Sequence, residues 1–121
     1  MKDKIEIDGT TYVRQEIVEQ EKAKAFDGMP YVFVRTYSAG VFAGYMEERD
    51  GKEVTLRNAR RLWLWKGAAS LSQMAMEGTS KPDECKFPCE VDKVILIESI
   101  EILDVTAKAK KSINEVPVWS C

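Results

Sequence analysis

The dipeptide Asp50-Gly51, set between the alternating stretches Val41–Glu48 and Glu53–Leu56, restricts this chain more than any other feature. A two-residue hairpin turn needs positive φ at its central residues, which Asp and Gly accept and branched residues resist. The flanking segments are therefore predicted to pair as antiparallel neighbours. A third strand precedes them. Over Tyr31–Tyr37, Val32, Val34 and Thr36 fall on one face, with Tyr31, Phe33, Arg35 and Tyr37 on the other. Ser38-Ala39-Gly40 supplies the reversal between these strands. After the hairpin the strand resumes at Arg61–Trp65, and Asn58-Ala59 between its halves marks a bulge or bend.

Residues 4–13 read as a further hairpin: Ile5 and Ile7 alternate, Asp8-Gly9 turns, and Tyr12-Val13 begins the return. Gln15–Lys24 is a marginal helix or a mobile arm. Gly67–Gly78 has helical spacing, with Leu71, Met74 and Ala75 at i, i+3 and i+4 and Gly78 at the C-cap. Thr79–Asp83 is a polar loop, and Lys86-Phe87-Pro88 is irregular. Val91–Val105 is the longest apolar tract. Its parity changes between Ile97 and Ile100, so one long strand bulges near Glu98-Ser99 or two strands meet there. Thr106 is placed to cap a last helix, Ala107–Ile113. The apolar tail Val116-Pro-Val-Trp119 docks on its own core or on a partner subunit. The fold class predicted is α+β, a mainly antiparallel sheet of five or six strands with two or three helices. Residues 1–30 form an N-terminal hairpin or arm, and 31–121 a single ligand-binding domain.

A chain of 121 residues with 45% hydrophobic residues is long and apolar enough for one core. Its formal charge of −2 argues against duplex nucleic acid, whose phosphates call for a net basic face. No run of about 18 apolar residues spans a membrane, and the start lacks the core of a signal peptide, so a cytoplasmic protein is expected. Three cysteines, Cys85, Cys89 and Cys121, fit a reducing compartment and are read as incidental. Histidine is absent. That removes the usual base for a serine or cysteine nucleophile and the commonest metal ligand. No glycine-rich phosphate loop is present. The expectation is a binder with no catalytic residue, no metal and no cofactor.

The chemistry is concentrated in Arg57-Asn-Ala-Arg-Arg-Leu-Trp-Leu-Trp65, which holds three guanidinium groups and two indoles. Guanidinium forks suit phosphate oxygens, and aromatic faces suit bases. Arg57 is the first choice for a phosphate contact, against the alternative of a surface arginine at a strand end. Arg60 and Arg61 divide between the two faces of the sheet. Phe87, between Lys86 and Pro88 on a loop, is a candidate for stacking on a base. Tyr37, Ser38 and Gly40 either bring backbone N–H groups to an oxygen-rich ligand or form a plain turn. Lys108, with Lys110 and Lys111, closes the site electrostatically or is solvated at a helix end. Trp63 and Trp65 are assigned to packing or to a subunit contact. Glu98 and Glu101 are either inward-facing ligands for an arginine or, the preferred reading, the solvent face of a strand.

Taken in order, Val34–Gly44, Asn58–Gln73, Lys86-Phe87 and Ile97–Leu103 resemble a family of small bacteriophage and prophage proteins that includes the first-described Thoeris anti-defence proteins. The resemblance covers residues 31 to 119. It implies a sponge: a homo-oligomer, dimer or higher assembly such as a hexamer, that holds glycocyclic ADP-ribose without cleaving it. That cyclic ADP-ribose isomer is the signal made by a bacterial TIR-domain immune protein. Some members of the family also take up cyclic nucleotides at a second site. Rival readings are a phage inhibitor that binds a host protein, an enzyme that degrades a nucleotide signal, and a single-strand nucleic-acid binder.

Overall fold

A computed structural model of the chain describes residues 21–120. The hairpin expected at 4–13 and the first part of Gln15–Lys24 lie outside the described residues. Three strands form the predicted meander: β1 (Tyr31–Thr36), β2 (Val41–Asp50) and β3 (Glu53–Arg61). Helix α1 (Leu71–Glu77), a single 3-10 turn at Pro82–Glu84, β4 (Val91–Leu96), β5 (Ser99–Asp104) and helix α2 (Ala107–Asn114) follow. The fold is α+β, with one antiparallel five-stranded sheet in the order β4-β3-β2-β1-β5.

Local chemistry explains most of these boundaries. Gly51, at φ +63°, turns the β2–β3 hairpin. Asn58 adopts φ +52° within β3, where the pairing with β2 skips between Ala43 and Tyr45. This is the expected bulge, and it changes parity. Val54, Leu56 and Ala59 all join one apolar cluster, while Leu62 turns to the other. Beyond Arg61 the strand stops, contrary to expectation: Leu64 makes only an isolated bridge to Lys86. With no ladder to hold alternation, Trp63 and Trp65 do not share a face. Trp65 packs on the helix-side core, and Trp63 projects outwards. Helix α1 is shorter than the spacing suggested, because Ser70 caps it by accepting the amide of Gln73. Thr106 caps α2 through the amide of Ala109, as expected. The apolar tract resolves as two strands.

Those two strands decide the shape. Strands β4 and β5 lie at opposite edges of the sheet, yet only Ile97 and Glu98 separate them. In a flat sheet the edges would stand about 19 Å apart, four spacings of about 4.8 Å. Three peptide steps reach about 11 Å at most. The sheet must roll until its edges approach at that end. Two hydrogen bonds hold the closed corner, Tyr37 N–H to Glu98 O and Ser99 N–H to Lys52 O, each 3.0 Å. Inside the roll lie Val32, Val34, Phe42, Val54, Leu56, Ala59 and Leu96. The other core sits between the sheet and both helices, where Phe33, Leu62, Met74, Phe87, Ala109 and Ile113 are buried.

Residues 21–30, expected as the end of an arm, are bonded to this body. Ala23 N–H donates to Val105 O, and Ala107 N–H donates to Glu21 O. Among the described residues no helix is long and apolar enough to cross a membrane.

Candidate functional site

Arg60 is the first residue whose expected role changes. It turns to the helix side and is only 7% exposed. Its Nε donates to Pro88 O at 3.0 Å and Nη1 to Ile113 O at 2.9 Å. Nη2 reaches the carbonyls of Phe87, Val116 and Pro117. With these five acceptors around it, the guanidinium is engaged inside the protein and is not available for a ligand's phosphate. Burial pushes its pKa down, while Tyr31, Glu90 and Cys89 pull it back. The division of Arg60 and Arg61 between the two sides of the sheet is as expected.

Phe87 is the second correction. Although it lies in an irregular segment, it is 0% exposed. The tail covers it: Val118 bridges to Phe87, and Trp119 N–H donates to Phe87 O. Burying such a ring is worth about 1.5–3 kcal/mol, and stacking on a base returns about 1–3 kcal/mol, so exposing it for a ligand gains nothing. The tail therefore docks on its own core.

The same docking builds an exposed aromatic ledge. Trp63 and Trp119 stack with ring centroids 5.0 Å apart and planes 17° from parallel. They remain 57% and 38% exposed. The Lys86 ammonium lies 5.8 Å from one ring centroid and 5.6 Å from the other. Two indoles and one cation on the surface form a platform for a flat, electron-rich, anionic group. The apolar tail was the only signal in the sequence that pointed to Trp119.

Arg61 anchors a neighbouring corner, two residues before Trp63. Its Nη1 donates to Ala39 O, and its guanidinium lies 4.4 Å from the centroid of the Phe42 ring. The Tyr37–Gly40 turn is thus brought to Arg61. Ser38 Oγ donates to Glu98, and Gly40 needs its φ of +93° to make the reversal. The Tyr37 ring is 80% exposed. Elsewhere, Arg57 is half-buried; its Nε donates to Asp92 O at 3.1 Å, and Nη1 lies 3.7 Å from Glu47. Lys108 lines a separate shallow cleft with Gln73, Glu77 and Thr79, into which none of the three arginines reaches. Glu101 lies on the exposed face as expected, and it also pairs with Arg35 at 2.8 Å. Among the described residues no three of Cys, Asp and Glu gather as a metal site.

The fold and surface define a small α+β domain with a rolled sheet and an exposed aromatic ledge beside a lysine. The chain belongs to the family described as a domain of unknown function, DUF6948, which matches residues 29–113. No curated protein and no solved structure matches it.

Proposed function

We propose that the chain binds a small anionic nucleotide and acts as a sponge, sequestering a cyclic ADP-ribose isomer such as glycocyclic ADP-ribose without cleaving it. The observation that carries this reading is the Trp63–Trp119 stack with Lys86 over it, close in sequence to Arg61. Adenine stacks on the indoles, and the pyrophosphate meets Lys86 and Arg61. A chain without histidine is suited to holding such a ligand intact.

Magnitudes set the stoichiometry. Nanomolar retention needs about 12 kcal/mol. Stacking contributes about 1–3 kcal/mol per base, and each charge-assisted hydrogen bond about 1.5–3 kcal/mol. One open ledge falls short once ordering costs are subtracted, so a second surface must close over the ligand. We assign that surface to another copy of the chain, in a dimer or higher assembly.

Calorimetry and thermal shift with cyclic ADP-ribose isomers, cyclic dinucleotides and cyclic trinucleotides test the reading. The expected result is a raised melting temperature with a cyclic ADP-ribose isomer, and recovery of that ligand intact by chromatography after heating. No shift with any of them ends the proposal; fragments on recovery convert the protein into an enzyme. Trp63→Ala is expected to weaken binding by about tenfold or more, the loss of one stacked base contact. Lys86→Ala is expected to weaken retention while the assembly survives size exclusion; Arg57→Ala, whose guanidinium is engaged by Asp92 O and Glu47 outside the ledge, should leave retention unchanged, and its loss there would move the site to Arg57.

A second reading, docking on a host protein, draws on Val91, Ile95, Ile97 and Ile100, exposed apolar residues of β4, β5 and the connection between them. It predicts that Ile97→Asp, and not Trp63→Ala, removes function.

A further inference from the structure

We propose a second, independent binding site, for the phosphate of a small molecule with an apolar face, in the cavity between the β2–β3 hairpin tip and β5. This site uses none of the ledge residues and does not rest on the sponge reading. The cavity measures about 470 Å³, within the range of small-ligand sites, and is lined by Arg49, Lys52, Ser99, Ile100, Glu101 and Ile102 with the turn glycine, Gly51.

Ser99 points to a ligand. The residue is 8% exposed, and its hydroxyl oxygen is buried with no hydrogen-bond partner among the described residues. Proteins avoid a desolvated donor without an acceptor. Its own backbone is already committed, because Ser99 N–H donates to Lys52 O and fixes the hairpin tip against β5. The hydroxyl is thus left without an acceptor among the described residues.

Charge names that acceptor. Arg49 and Lys52 are the cations of the lining, and Glu101 is its carboxylate. Glu101 is occupied by Arg35, whose Nε donates to it at 2.8 Å. Arg49 is steadied by Nε donation to Gly51 O at 3.1 Å, which leaves its terminal nitrogens without a partner among the described residues. The acidic residues of the hairpin, Glu48, Asp50 and Glu53, gather in a different cleft. A guanidinium fork and an ammonium lining one space, with a serine hydroxyl buried in its wall, match the several oxygens of a phosphate better than the two of a carboxylate. Ile100, half-exposed, and Ile102 give the same space an apolar wall.

Titration of the full chain with inorganic phosphate and with phenyl phosphate, at low ionic strength, tests this. Phenyl phosphate is expected to bind about tenfold more tightly than phosphate, the ratio that burying one small apolar group supplies. Arg49→Ala, Lys52→Ala and Ser99→Ala should each weaken both ligands by about tenfold, and Ile100→Ala should remove only the advantage of the phenyl group. Trp63→Ala should change neither, which separates this site from the ledge. Ser99→Ala should leave the ligand-free melting temperature unchanged or higher, since it deletes an unpartnered donor. Absence of binding by both ligands, binding that survives the Arg49→Ala/Lys52→Ala double variant, or a Ser99→Ala variant that melts lower yet binds unchanged overturns the proposal.

Discussion

Arg60 joins three stretches of chain that sequence keeps apart: β3, the Phe87-Pro88 segment and the end of α2 with its tail. Lysine has the charge but not the fork, and one nitrogen cannot reach all these carbonyls. Arg60→Lys is expected to lose about 2–3 kcal/mol and Arg60→Ala about 3–5 kcal/mol, because buried acceptors are left unpaired. Urea midpoints check both. Arg61→Ala, which exposes no buried acceptor, should cost about 1 kcal/mol or less. Tyr31 gives a pH signature. Burial raises its phenol well above the usual value, with Tyr45 and Glu90 adding to the rise and Arg60 opposing it. The native state keeps this proton where the unfolded chain gives it up. Tyr31 therefore contributes stability that is complete below about pH 10 and is lost as pH climbs above it. Tyr31→Phe should flatten the alkaline fall in denaturation midpoints; an unchanged slope would show that another group carries it. Burial at this scale was hard to read from sequence. Phe87 looks exposed by its neighbours Lys86 and Pro88, and only a tail about thirty positions later hides it.

The elements were legible wherever their signals were local. The bend at Asn58, the Thr106 cap and the Gly78 stop each act within a few residues, and each stands where the sequence put it. The hairpin turn falls one residue later than Asp50-Gly51 suggests: Asp50 ends β2 paired with Glu53, and Gly51-Lys52 makes the reversal. Arg61–Trp65 was not legible as irregular, because alternation alone cannot tell a strand with a partner from one without. Gly78 offers the sharpest test of helix pairing. It sits at φ +80°, and a Cβ there would overlap the Ser112 side chain on α2. Gly78→Ala is expected to cost about 2–4 kcal/mol, the sum of backbone strain and overpacking. Ser112→Gly itself removes the acceptor of Thr79 N–H, so the packing share is read by adding Gly78→Ala to that variant, where it should cost only about 1 kcal/mol of strain. A cost as large as in the wild-type background would place all of it in the backbone. Thr106→Ala should cost about 1–2 kcal/mol, since the hydroxyl both caps α2 and donates to Met76 O.

At the level of the molecule, helix-side core, roll and tail behave as one unit. Truncation before Val116 removes two of the carbonyls that hold Arg60, uncovers Phe87 and deletes half of the aromatic ledge. Such a chain is expected to melt lower and to lose its nucleotide response together, and intact binding in the truncated form would separate ledge from ligand. The sequence predicted strand count and class, but not the order of strands, which depends on which edges meet after rolling. That order has a kinetic consequence. Strand β1 lies between β2 and β5, so one of its flanks stays bare until a stretch about sixty residues downstream has been synthesised. A nascent chain halted after the β2–β3 hairpin carries an unsatisfied ribbon edge, an invitation to aggregation that disappears only when Ser99–Asp104 clears the ribosome.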